Sequence, residues 1–145
     1  MKRQYCLKLI LIGVMGLHQS LQAAVSSKEE VMKIRSADEL SILIYPERIL
    51  TRSAITPELL EKNFKDQRII KSSSAKAWGE FLDAWSSTTW VPSDKTGDYR
   101  WALHLRSKSK VLGSIYIDRK AKLAVIAGKK YALDGGVLKW IAKQD

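Results

Sequence analysis

The sequence predicts a single α+β domain in which helices pack on one face of a mostly antiparallel sheet. Two patterns lead to this prediction. In the C-terminal third, apolar and polar residues alternate over consecutive short segments, which is typical of a β-meander. Between residues 74 and 85, bulky apolar residues recur at helical spacing instead. A sheet and a helix that each have one apolar face bury both faces by packing on each other.

Residues 1–23 have the three parts of a secretory signal peptide. A basic lead over residues 1–8 precedes an apolar run over residues 9–17, and a polar stretch ends at Ala23. The apolar run is nine residues long, whereas a helix that spans a bilayer needs about 20. We therefore expect cleavage after Ala23, no transmembrane anchor afterwards, and a bacterial protein that is periplasmic or secreted.

The remaining chain divides into a short leading segment and one domain. Residues 24–39 are polar and are expected to be partly mobile. Within them, Ser27 and Glu30 have the spacing of a capping box, which predicts a short helix. Residues 40–145 are predicted to form the single α+β domain.

Cleavage of the signal peptide changes the composition of the mature chain. It removes Cys6, the only cysteine, so no disulfide, thiolate nucleophile or cysteine-bound metal is expected. Loss of Lys2, Arg3 and Lys8 reduces 25 basic residues to 22, against 15 acidic residues, and leaves a net charge of +7. This charge favours acidic partners, although a moderate positive charge also serves solubility alone.

The first part of the domain carries two strand signals, a helix signal and a further strand. Residues 40–45 form a run rich in aliphatic residues that predicts a buried strand, and residues 48–52 are predicted to return beside it. Thr56 has the position of an N-cap, followed by a proline and a glutamate, so a helix is predicted to run to Phe64. Residues 68–71 predict another short strand.

The clearest helix follows Ser74, its predicted N-cap. Its bulky residues fall on one face, at positions i, i+3, i+4 and i+7. They are Trp78, Phe81, Leu82 and Trp85. Residues 86–98 are predicted to be the longest irregular stretch, and they contain Trp90. An aromatic residue in a long loop is either an anchor for a partner or part of the core.

The parity of the alternation predicts the register of the meander. An odd number of residues in the first turn keeps the apolar side chains on one face, and an even number would mix them with arginines. The predicted pairs are Trp101 with Ile117, Leu103 with Ile115, and Arg100 with Asp118 as an ion pair. In the next strand they are Ile117 with Leu123, Ile115 with Val125, and Asp118 with Lys122.

The chain is predicted to end with a short strand and a helix. Residues 131–133 extend the meander by a fourth strand, and Asp134 caps a closing helix over residues 135–143.

The opposite sheet face collects basic and polar residues, and we expect it to bind an acidic protein surface. The residues expected to bind are Arg100, His104, Arg106 and Tyr116, with Trp90 as an additional anchor. The alternative is an outer sheet face that is only solvated, which is common in antiparallel sheets.

Catalytic motifs are scarce. His104, the only histidine after residue 23, is predicted to lie opposite Ser114, but there is no GxSxG motif and the strands are flat. The sequence has no HExxH motif, histidine pair or phosphate-binding glycine loop, so no metal and no cofactor are expected.

Together these patterns predict a small exported protein that is not an enzyme. It would dock on a protein with an acidic surface, as an inhibitor, an immunity protein or an accessory of an envelope machine. One alternative is a secreted nuclease or other hydrolase that uses His104 with nearby arginines. Another is a protein that binds an anionic envelope polymer or lipid. Nucleic-acid binding is not expected, because most tryptophans have core positions.

Overall fold

The computed structural model describes residues 32–144, which form four helices and seven strands in one antiparallel sheet. The elements are α1 (residues 32–36), β1 (Glu39–Ile44), α2 (Pro57–Asn63), β2 (Asp66–Lys71), α3 (Ala75–Ser86), β3 (Thr88–Pro92), β4 (Trp101–Ser107), β5 (Lys110–Asp118), β6 (Leu123–Ile126), β7 (Lys129–Gly135) and α4 (Gly136–Ile141). The strand order is β2-β1-β4-β5-β6-β7-β3. The predicted α+β class is therefore confirmed. The signal peptide and the Ser27–Glu30 helix lie outside the described residues.

One face of the sheet, the inner face, packs against α3 and α4. Trp101 and Ile117 are fully buried on this face, and Phe81 of α3 meets Trp140 of α4 with ring centroids 5.3 Å apart. The predicted stripe of α3 is thus a core stripe, because its aromatic rings are joined to the sheet in one apolar cluster. Burial of such large aromatic side chains provides much of the hydrophobic stabilisation of a small domain.

The opposite face, the outer face, also carries a helix. Leu60 of α2 is fully buried and forms a second apolar cluster with Leu43 of β1 and Ala102 of β4. The helices predicted to pack on one face are α3 and α4 on the inner face, and α2 additionally covers part of the outer face. The helix begins as predicted: Thr56 is the N-cap and its side chain accepts a hydrogen bond from the Leu59 amide.

The connection from β3 to β4 covers more of the outer face. These strands are four positions apart in the sheet, so residues 93–100 pass across β7, β6 and β5. The Lys130 ammonium group on β7 donates to the Asp94 carbonyl and to Thr96 Oγ1. Farther along, a Cβ at Gly97 would lie 2.8 Å from Cβ of Asp118 on β5. A glycine is therefore needed where this crossover touches the sheet.

The first hairpin of the meander has the predicted pairs, Trp101 with Ile117 and Leu103 with Ile115. Its turn differs from the expected odd turn: Ser107 pairs with Lys110, which leaves a two-residue turn, and a β-bulge follows at Leu105/Arg106. The extra residue of the bulge restores the parity that keeps the apolar residues on the inner face.

The register of the next hairpin is shifted by one residue from the prediction. Ile117 pairs with Ala124 and Ile115 with Ile126, so the predicted pairs with Leu123 and Val125 are wrong. The cause is the four-residue turn between Asp118 and Leu123. Asp118 Oδ1 accepts the Ala121 amide at 2.9 Å within this turn, and an even turn puts the alternate residues on the inner face.

The structure differs from three further predictions. Residues 48–52 are not a strand, because β1 already pairs with β2 on one side and β4 on the other. Within residues 86–98, which were expected to be irregular, Thr88–Pro92 form β3, which pairs with β7. The N-cap of α4 is Gly135 and not Asp134; its φ of +112° and a Cβ position 2.4 Å from the Ser87 carbonyl both require glycine.

Gly97→Ala should lower the free energy of unfolding by about 1–3 kcal/mol, because the new methyl group collides with Asp118 under the crossover. Gly79→Ala is the matched control. Its Cβ meets nothing within 4 Å inside α3, so it should raise stability by up to about 1 kcal/mol. Urea unfolding of both variants measures the difference, and equal stabilities would contradict the described path of the crossover.

Candidate functional site

Arg100 does not lie on an open face. Its side chain is 10% exposed, and its guanidinium group packs 5.2 Å from the ring centroid of Tyr45. Nη1 donates to the Ile49 carbonyl at 2.8 Å, and Nη2 donates to Thr51 Oγ1 at 3.1 Å. Arg100 therefore holds the backbone of the segment that follows β1, and its donors are directed into the protein.

The ion-pair partner of Arg100 is Asp98, not Asp118 as predicted. Asp98 Oδ2 lies 2.8 Å from Nε and 2.7 Å from Nη2 of Arg100. The other carboxylate oxygen accepts the Ile55 amide at 2.7 Å, ahead of α2. Asp118 is buried and accepts the Asp98 amide at 2.8 Å. The predicted pairing of Asp118 with Lys122 is also wrong, since Lys122 contacts Asp134.

We call these three residues, Asp98, Arg100 and Asp118, the polar hub. Through the contacts above, the polar hub ties together the segment after β1, the segment before α2, the crossover and the β5–β6 turn. A carboxylate with several N–H donors and a guanidinium with several acceptors are compatible with burial, because their charges are compensated by hydrogen bonds.

A second polar group lies on the outer face beneath α2. His104 of β4 is buried, with Nδ1 2.7 Å from Ser114 Oγ of β5. Its Nε2 lies 3.0 Å from Glu61 Oε1 of α2, and the Tyr116 hydroxyl donates to the same oxygen at 2.7 Å. The predicted juxtaposition of His104 and Ser114 is confirmed. Glu61 is the member that the sequence did not indicate.

The chemistry of this group determines where the imidazole proton lies. Burial is the main cause that lowers the pKa of His104, Arg106 lowers it further, and Glu61 opposes the shift. The neutral ring donates from Nε2, since a carboxylate can only accept, and its Nδ1 then accepts the Ser114 proton. Burial, followed by the bond to Glu61, raises the pKa of Tyr116 to about 12. The four residues form one hydrogen-bonded chain.

Arg106 and Trp90 belong to neither hydrogen-bonded group. Arg106 is near the C-terminal end of β4, where Nη2 donates to the Ser109 carbonyl and Nε lies 3.9 Å from Glu39. Trp90 lies on β3 and not in a loop. Its ring packs against Trp85 with centroids 4.7 Å apart, so it extends the aromatic core. The five residues predicted to bind therefore do not form one surface.

Two residues that organise these groups were missed. Glu61 reaches His104 only because α2 folds back over the sheet, and no local pattern reports this. Asp98 lies two residues before Arg100, and that spacing places both side chains on the same side of an extended segment. The ion pair between Asp98 and Arg100 could therefore have been predicted from this spacing.

Residues 32–144 contain no group of three or more histidine, cysteine or acidic residues placed to hold a metal ion. In the same part of the chain, no helix is long and apolar enough to cross a membrane. Comparison of the chain with models of protein families, with curated proteins and with solved structures gives no match.

Lowering the pH from about 7.5 to about 5.5 should destabilise the fold through His104. Its folded-state pKa lies below the ordinary 6.5, so the unfolded chain binds the proton first, and stability present above pH 6.5 falls as the pH decreases. His104→Gln should flatten the dependence of Tm on pH over this interval. Tyr116→Phe, which leaves the imidazole in place, should keep the slope. An equal slope in wild type and His104→Gln would contradict the assignment.

Proposed function

We propose that the chain is an exported binding protein, without enzymatic activity, that docks on a protein with an acidic surface. The proposal includes removal of residues 1–23 and a periplasmic or secreted location. Within this proposal, the role is that of an inhibitor, an immunity protein or an accessory of an envelope machine.

The observation that supports an acidic partner most directly is that many carboxylates have partners within the fold, whereas many basic side chains have none. Many carboxylates are engaged within the fold, among them Glu47, Glu61, Asp98 and Asp118. Exposed basic side chains without a carboxylate partner among residues 32–144 include Arg48, Arg52, Lys108, Lys110, Lys120 and Lys129. The cationic surplus of the sequence therefore lies at the surface, where it steers association with negative partners.

Recovery of the protein from its native host provides the test. We expect an N-terminus at Ala24 and a one-to-one complex with an acidic envelope or secreted protein, measured by native mass spectrometry and reconstituted from purified components. Binding to phosphatidylglycerol vesicles or to purified envelope polysaccharide alone, weakening steeply with salt, would establish the polymer or lipid alternative instead. Absence of any complex would overturn the proposal.

A second candidate is a serine hydrolase, which is favoured by the chain of contacts from Ser114 through His104 to Glu61. In that reaction, Ser114 Oγ attacks an acyl carbon while His104 Nδ1 takes its proton. The bond to the leaving group then breaks and the proton passes to it. The usual triad directs Nε2 to the serine, whereas here Nδ1 faces the serine and Nε2 faces the acid.

A fluorophosphonate probe distinguishes the candidates, since it labels only an activated serine. We expect no labelling of the wild type, and no cleavage of RNA. Labelling that is lost in Ser114→Ala and in His104→Gln, but kept in Ser93→Ala, would establish the hydrolase. It would contradict the proposal that the protein has no enzymatic activity.

A further inference from the structure

The segment after β1 presents an exposed leucine. Leu50 is 94% exposed, more than any other large apolar side chain of the described residues; Met32 follows at 64%. Isolated apolar residues at a surface are common and need no explanation alone. The surroundings of Leu50 are unusual, because a buried side chain holds the residues on both sides of it.

Arg100 provides this restraint. The Ile49 carbonyl and the Thr51 hydroxyl, one residue before and one after Leu50, both accept hydrogen bonds from its guanidinium group. Asp98 holds the guanidinium in turn. A buried charge is costly to desolvate, so such a pair contributes little net stability. It does fix the loop before any partner arrives, which lowers the conformational cost of binding.

The residues two positions before and two positions after Leu50 are positively charged. Arg48 and Arg52 are exposed and have no ion-pair partner among residues 32–144. A cavity of about 460 Å³ opens at the base of the loop, and Arg48 and Lys65 are among its lining residues. Asp66 also lines this cavity, but it is engaged by the Gln67 amide at 2.8 Å.

We propose that residues 48–52 are the docking element for the protein partner, with Leu50 entering an apolar pocket whose rim is acidic. This inference rests on the proposed function and adds the surface and the shape of the partner. Charge complementarity commits the surface to such a partner, because two unpaired arginines flank the apolar side chain. Arg100 is then a positioning residue, which sets the loop without touching the partner.

The first experiment places a benzophenone photo-crosslinker at position 50 of the full chain in the native host. The same residue at position 69 or 91 is the matched control, since Ile69 and Val91 are 54% and 53% exposed on other parts of the molecule. We expect one acidic protein, identified by mass spectrometry, to crosslink from position 50 and not from the controls. Crosslinking only from a control position would overturn the surface but keep the proposed function. No crosslink at all would overturn both.

The second experiment measures binding of the purified crosslinked protein. Leu50→Asp and the double variant Arg48→Glu/Arg52→Glu should each weaken affinity about tenfold or more, since an apolar anchor or its complementary charge is lost. Val91→Asp should leave affinity unchanged. Unchanged affinity in Leu50→Asp would overturn the proposal.

Limited trypsin digestion tests the positioning role of Arg100, because Arg48 and Arg52 are themselves cleavage sites. Thr51→Val removes the hydrogen bond to the hydroxyl, and Arg100→Lys removes the guanidinium group that donates to both Ile49 and Thr51. Loss of one or two hydrogen bonds should speed cleavage at these sites by about tenfold, with weaker partner binding in proportion. Arg68→Lys on exposed β2 is the control. Wild-type cleavage rates in both loop variants would contradict the restraint.

Discussion

The ion pair between Asp98 and Arg100 joins parts of the chain that are distant in sequence, and much of the outer face depends on it. Arg100 reaches back to Ile49 and Thr51, while Asp98 holds the Ile55 amide at the approach to α2. Asp98 is itself bound through its amide by the buried Asp118. Arg100, Asp118 and Ile55 are buried, so removal of one member of the hub leaves buried polar atoms without a partner.

This constraint explains why the basic sheet face expected from the sequence is not an open docking surface. The crossover and α2 lie over it, and their polar contacts use the side chains expected to meet a partner. His104 and Tyr116 both bind Glu61, and Arg100 binds backbone within the domain. Basic side chains that have no carboxylate partner in the described residues lie instead in turns and in the segment around Leu50.

The two polar groups of the outer face have different consequences. The chain of Glu61, His104, Ser114 and Tyr116 attaches α2 to the sheet and makes that attachment sensitive to pH through the imidazole. The effect of the polar hub is mechanical: it holds a loop in place. A rigid loop with an apolar tip loses little conformational entropy on binding, which suits recognition of another protein.

The sequence by itself determined the α+β class, the helix that starts after Thr56, the stripe of α3 and the first hairpin register, because periodicity and caps are local signals. It also placed His104 opposite Ser114, since parity follows from alternation. Only the tertiary structure decided the position of α2, the path of residues 93–100 and the shift between β5 and β6. These depend on contacts such as Glu61 with His104 and Gly97 with Asp118, and such long-range contacts leave no periodic pattern in the chain. A side-chain bond within the turn after Asp118 reversed the predicted faces of β6, because one residue of slip exchanges the two faces of a strand.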